Sequence, residues 1–149
     1  MKKPSVWSII ILVATIISLV LLVVSISVFA VGVPALKDAA YQASIDAGAT
    51  AEEATVAVSL AIGLAIGAMV FASIFEVFKI IGGFMFSLKG RWGIFCIVVA
   101  IISAVSTLFT LINGASKNPN VGSIVTNAIT LAIDVLLVVA CFKRRAELR

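Results

Sequence analysis

Long apolar runs separated by short polar breaks set the pattern of this chain. The runs cover residues 6–33, 51–81, 93–112 and 122–142. Each reaches the length of about 20 residues that one helical bilayer crossing needs. The pattern therefore predicts an all-α membrane protein, a four-transmembrane-helix bundle forming one membrane domain over residues 1–149. Lys2 and Lys3 before the first run resemble the start of a signal peptide, and 28–30 has the small-residue pattern of a cleavage site. The apolar run exceeds the roughly 7–15 residues of a signal core, so an uncleaved first span is expected.

Gly32 and Pro34 predict the end of that span, because proline cannot continue the hydrogen-bond ladder. A short extracytoplasmic helix is expected over 35–47. It is too polar to cross, with Lys37, Asp38 and Asp46, and it stops at Gly48. Thr50 and Glu53 then stand three apart directly before the second run. That is a capping box, in which each side chain satisfies the other residue's backbone amide. Gly82-Gly83 predicts the end of the second span. Residues 84–92, with Lys89, Arg91 and Trp92, form an aromatic and basic connector suited to headgroups. Gly114, Asn118 and Pro119 predict a tight turn that makes the third and fourth spans antiparallel neighbours.

Within the spans the polar positions form faces. Thr15, Ser18 and Ser25 share one face of the first, with hydroxyls expected to return to their own helix. On the second, Thr55, Ser59, Gly63 and Gly67 recur every four residues and make a flat row on which another helix can pack. Packing inside the bundle is the expected use of that row, ahead of a dimer seam or partner surface. Glu76 and Lys79 are three apart and are expected to pair at the span end. Ser103, Ser106 and Thr110 line one face of the third span, followed by Asn113. Ser123, Asn127, Thr130 and Asp134 line one face of the fourth.

Asp134 is the costly residue, since an aspartate at a helix centre opposes insertion by about 2.5–3.5 kcal/mol. No Lys or Arg is expected at its depth. Two readings follow. Either Asp134, with Asn127, Thr130, Ser103, Ser106 and Thr110, forms an ion or proton site, or it ties the third and fourth helices together by hydrogen bonds.

Composition agrees with the pattern: 62% hydrophobic, 12% charged, mean hydropathy +1.26. That is too little polar surface for a water-soluble domain of 149 residues. The net charge of +4 is no nucleic-acid signal, because the basic residues gather at the ends of the runs. Nine Lys and Arg fall on the side of the termini and the 84–92 connector against two on the other. This positive-inside bias predicts cytoplasmic termini in a cell membrane, with a bacterial inner membrane the expected setting. The sequence has no His and two Cys, so metal-ligand sets are lacking, and no cofactor is expected. Cys96 and Cys141 are expected near one another at the inner ends of their spans, as thiols in a reducing compartment. No nucleophile–base motif or phosphate loop occurs, so no enzyme is expected.

The expected function is that of an accessory or assembly protein acting by helix packing, with itself as a homo-oligomer or with a membrane-protein partner, in the lipid bilayer. The alternative is a small proton- or cation-coupled transporter or channel using Asp134.

Overall fold

The computed structural model describes residues 5–117 and 121–148. Lys2, Lys3, Asn118 and Pro119 lie outside the described residues, as do the side chains of Lys117 and Ser123. The described chain is all α: α1 Val6–Asp46, α2 Ala51–Lys89, α3 Gly93–Lys117 and α4 Val121–Glu147. All four are long and apolar enough to cross a membrane, as expected of a multi-pass membrane protein, and a four-helix bundle fits.

Helix boundaries differ from the sequence expectation in all four helices: α3 runs through Gly114 to Lys117 instead of ending at residue 112, α4 runs past Phe142 to Glu147, and the other two differences are larger. α1 runs through Gly32 and Pro34 without a break, so the helix expected over 35–47 is its C-terminal part rather than a separate element. Proline removes one donor from the ladder, a penalty of about 3 kcal/mol, but the residues after it, Ala35, Leu36, Lys37, Ala39 and Ala40, favour helix. α1 ends where Gly48 takes a left-handed conformation, φ 89°, and its amide donates to the Ile45 carbonyl at 2.9 Å. α2 likewise passes through Gly82-Gly83 and takes in 84–89, leaving only Gly90, Arg91 and Trp92 as connector. The start of α2 is as expected. The Thr50 amide donates to Glu53 Oε2 at 2.9 Å, and the Glu53 amide donates to Thr50 Oγ1 at 3.3 Å.

The chain forms two compact units, one of Met1–Val20 with Phe75–Arg149 and one of Leu21–Ile74. In the first unit the contacts alternate in direction. Ser8 meets Ser87 while Thr15 meets Gly83, so α1 and α2 are antiparallel there. Lys79 meets Ser103 while Phe86 meets Gly93, so α2 and α3 are antiparallel. Cys96 meets Cys141 while Ser103 meets Asp134, which sets α3 against α4 as expected. α3 and α4 are the closest-packed pair.

The core of this unit contains Ile11, Ala14, Phe86, Cys96, Ile97, Ala100, Leu137, Ala140 and Cys141. On α1, α3 and α4 these positions recur at three or four residues, the period of a single buried stripe. Glycine serves close approach here rather than helix breaking. A Cβ on Gly83 would collide with the Thr15 hydroxyl, and one on Gly93 would sit 2.7 Å from the Phe86 ring. The absent side chains let α1 and α3 come up against α2. Ser8 and Ser87 complete the α1–α2 seam reciprocally: Ser8 Oγ donates to the Ser87 carbonyl at 2.6 Å, and Ser87 Oγ to the Ser8 carbonyl at 2.8 Å. An apolar groove of about 210 Å³ lies between α1 and α4, lined by residues such as Ile10, Val13, Ile133 and Leu136.

The second unit contains the C-terminal part of α1 and the N-terminal part of α2. Ala54 and Val58 are buried, whereas Val31, Leu60, Leu64 and Phe71 are broadly exposed. Its hydroxyls turn back on their own helices: Ser27, Ser44, Thr55, Ser59 and Ser73 each donate to the carbonyl four residues earlier.

Candidate functional site: an ion cluster joining three helices

Asp134 has no accessible surface, and it does not lack a cation. Lys79 Nζ lies 2.7 Å from Asp134 Oδ1, itself only 1% exposed. The expectation that no Lys or Arg lies at the depth of Asp134 is therefore corrected; Glu76 and Lys79 do pair as expected, but inside the helix rather than at the span end. Because α2 continues to Lys89, Lys79 stands ten residues inside the helix. Ser103 stands ten residues into α3. At 1.5 Å per residue both lie about 15 Å from the 90–92 connector, half the thickness of a ~30 Å hydrocarbon core.

The ammonium has three protons and three partners. Besides Asp134 it donates to Glu76, 2.6 Å from Oε2, and to Ser103 Oγ at 3.1 Å. Ser103 Oγ donates to Asp134 Oδ2 at 2.8 Å, and it also lies 3.0 Å from Glu76 Oε1. Its one proton serves one carboxylate at a time, and the shorter contact is to Asp134. Asp134 thus has one oxygen on Lys79 and the other on Ser103.

This geometry answers a large desolvation cost. Each buried ion loses several kcal/mol of hydration, and only close, fully hydrogen-bonded partners offset it. Local sequence positions each member. On α4, Asp134 shares its stripe with Leu137, Ala140 and Cys141, all buried. On α3, Ser103 continues the stripe of Cys96, Ile97 and Ala100. On α2, Lys79 precedes Gly83 and Phe86 at four and seven residues, the positions that seat α1 and α3. Counted as ions, the cluster holds two carboxylates and one ammonium. Glu76 is its open member, with 27% of its side chain accessible.

The remaining expected site residues do not join the cluster. Ser106 and Thr110 are exposed, and Thr110 donates to the Ser106 carbonyl of its own helix. Asn127 and Thr130 are half-buried, with Thr130 bonded to the Thr126 carbonyl. The small-residue row is open rather than packed inside. Thr55, Ser59, Gly63 and Gly67 are all exposed, and a Cβ on either glycine would meet nothing within 4 Å.

Sequence reasoning missed Lys79 because Gly82-Gly83 was read as a helix end. The available signal was the largely apolar stretch 84–88, broken only by Ser87, which carries the helical pattern past the glycines and puts Lys79 well inside. It also missed the Ser8–Ser87 exchange. Among the described residues no group of three or more His, Cys, Asp or Glu could hold a metal ion. No protein-family model, curated protein or solved structure matches this chain.

Proposed function

We propose that this protein is a non-enzymatic assembly or accessory protein of a cell membrane, with both termini cytoplasmic, which works by receiving another transmembrane helix. The observation behind this reading is the open row Thr55, Ser59, Gly63 and Gly67 on α2. Lipid chains gain little from such a row, whereas a helix gains close backbone contact. The hydroxyls of Thr55 and Ser59 are already bonded within α2, at 2.8 Å and 2.9 Å, so docking there leaves no donor unsatisfied. The basic residues support the orientation: with Lys79 assigned to the interior, the excess of Lys and Arg at the termini and connector still stands. The partner is a second copy of this chain or another membrane protein.

Co-purification in mild detergent tests this reading. Gly63→Leu with Gly67→Leu fills the row and should release the bound chain while α3 and α4 stay folded. An associated chain retained at wild-type level by that double variant would refute it.

A second reading is favoured by one feature of the ion cluster, its two acids around a single ammonium with Glu76 partly accessible. It makes the protein a small proton- or cation-coupled transporter or channel. Reconstituted in vesicles, Asp134→Asn should then abolish ion-coupled flux, and full flux in that variant would remove Asp134 from the path.

A further inference from the structure

Cys96 on α3 and Cys141 on α4 are free thiols, each without accessible surface, with their sulfurs 3.1 Å apart. A disulfide holds sulfur at about 2.05 Å, so roughly 1 Å of approach separates this pair from a covalent bond. The surroundings are apolar: Phe86, Ile97, Ala100, Leu137 and Ala140 belong to the same core. The position along the helices also matters. Cys96 precedes Ser103 by seven residues, and Cys141 follows Asp134 by seven. Two helical turns, about 10.5 Å, therefore separate the thiol pair from the Ser103–Asp134 contact on both sides of the antiparallel seam.

We infer that Cys96 and Cys141 are a dithiol that hydrogen peroxide closes into a disulfide, covalently joining α3 to α4 two turns from the ion cluster. One thiol gives up its proton and its sulfur attacks a peroxide oxygen. The O–O bond breaks, one oxygen leaves as water with that proton, and the sulfur becomes a sulfenic acid. The second sulfur, already in contact, attacks the first. The S–S bond forms, the S–O bond breaks, and the hydroxyl leaves as water with the second thiol's proton. Two thiols are oxidised by two electrons in all, and one peroxide is reduced to two waters.

Burial selects the reagents. Peroxide is small and uncharged and enters an apolar core through local openings, whereas a thiol reductant the size of glutathione is bulky and charged and is shut out. The second step needs no encounter, since the sulfurs are held together. The bond forms in a compartment that keeps exposed thiols reduced, and it reopens only when the α3–α4 seam opens.

The test uses the full chain in mild detergent and does not depend on the role of the small-residue row. After brief exposure to hydrogen peroxide and a quench, the protein is denatured, labelled with a thiol-reactive maleimide and weighed. Wild type should lose both labels together, lose the mass of two hydrogens and remain a single chain on a non-reducing gel. Cys96→Ser and Cys141→Ser should each instead trap a sulfenic acid on the remaining sulfur or keep its label. Two labels surviving on wild type would overturn the inference. So would a disulfide between chains, or stepwise oxidation of each sulfur to acids without a bond between them. Because the decisive reading is taken on wild type, a variant that fails to fold leaves the result intact.

Discussion

Both units of this protein place small and polar residues on apolar helices, but only the first uses some of them across helix seams, although Thr15, Thr110 and Thr130 there also bond within their own helices. In the first unit Gly83 and Gly93 are filled by Thr15 and Phe86 of neighbouring helices, and the hydroxyls of Ser8, Ser87 and Ser103 reach across to other helices. In the second unit Gly63 and Gly67 face open space, and the hydroxyls of Ser27, Ser44, Thr55, Ser59 and Ser73 bond within their own helices. Every buried polar or charged residue described, from Ser8 to Asp134, belongs to the first unit. A polar group that has spent its hydrogen bond at home contributes nothing to holding helices together. One that bonds across a seam fixes a neighbour, by about 0.6 kcal/mol on average in membranes. The first unit is therefore a folded core, and the second offers surface.

The largest expected effect comes from breaking the core's charge balance. Lys79→Met strands the buried Asp134 carboxylate and should cost about 3–5 kcal/mol in unfolding followed by circular dichroism in mild detergent. Asp134→Leu should cost less, because Lys79 keeps Glu76 at 2.6 Å. The double variant should recover a large part of the loss, since it removes the two fully buried ions together and leaves only the partly accessible Glu76. Strict additivity would mean that the two charges do not act on one another.

Next in size is the contrast between glycines. Gly83→Ala drives a methyl into Thr15 and should destabilise by about 1–3 kcal/mol, with partial recovery when combined with Thr15→Ala. Gly63→Ala meets nothing and should stabilise its helix by up to about 1 kcal/mol. Equal effects at the two positions would erase the distinction between filled and open rows.

The smallest effect is confined to the second unit. Thr50→Ala removes the cap of α2 and should cost about 0.5–2 kcal/mol of local helix stability. The sign of it is faster amide exchange at 51–54 with no change in α3 and α4. Faster exchange in α3 and α4 as well would show that the effect is not local.

Much of this was legible in the sequence because it depends on neighbours along the chain. Run length predicts the four helices, Thr50 and Glu53 predict the cap, and the spacing of Ser103 and Asp134 predicts that they share a seam. Glycine and proline were misread for a common reason. Gly82-Gly83 and Pro34 weaken a helix locally, and the sequence does not say whether packing or strong flanking helix formers will carry it through. That misreading moved Lys79 to a helix end and hid the cation beside Asp134. The row at Gly63 and Gly67 shows the reverse limit, since its spacing announces a contact face but not which helix uses it.

The order of apolar and polar residues determined by itself that this chain makes helices long enough to cross a membrane, because length and hydropathy are properties of a segment. It also determined that Asp134 needs company, because an ion in hydrocarbon is costly wherever its helix sits. Which residue provides that company was decided only in three dimensions. Lys79 and Asp134 lie 55 positions apart, and only the approach of α2, α3 and α4 puts an ammonium within a hydrogen bond of the carboxylate it balances.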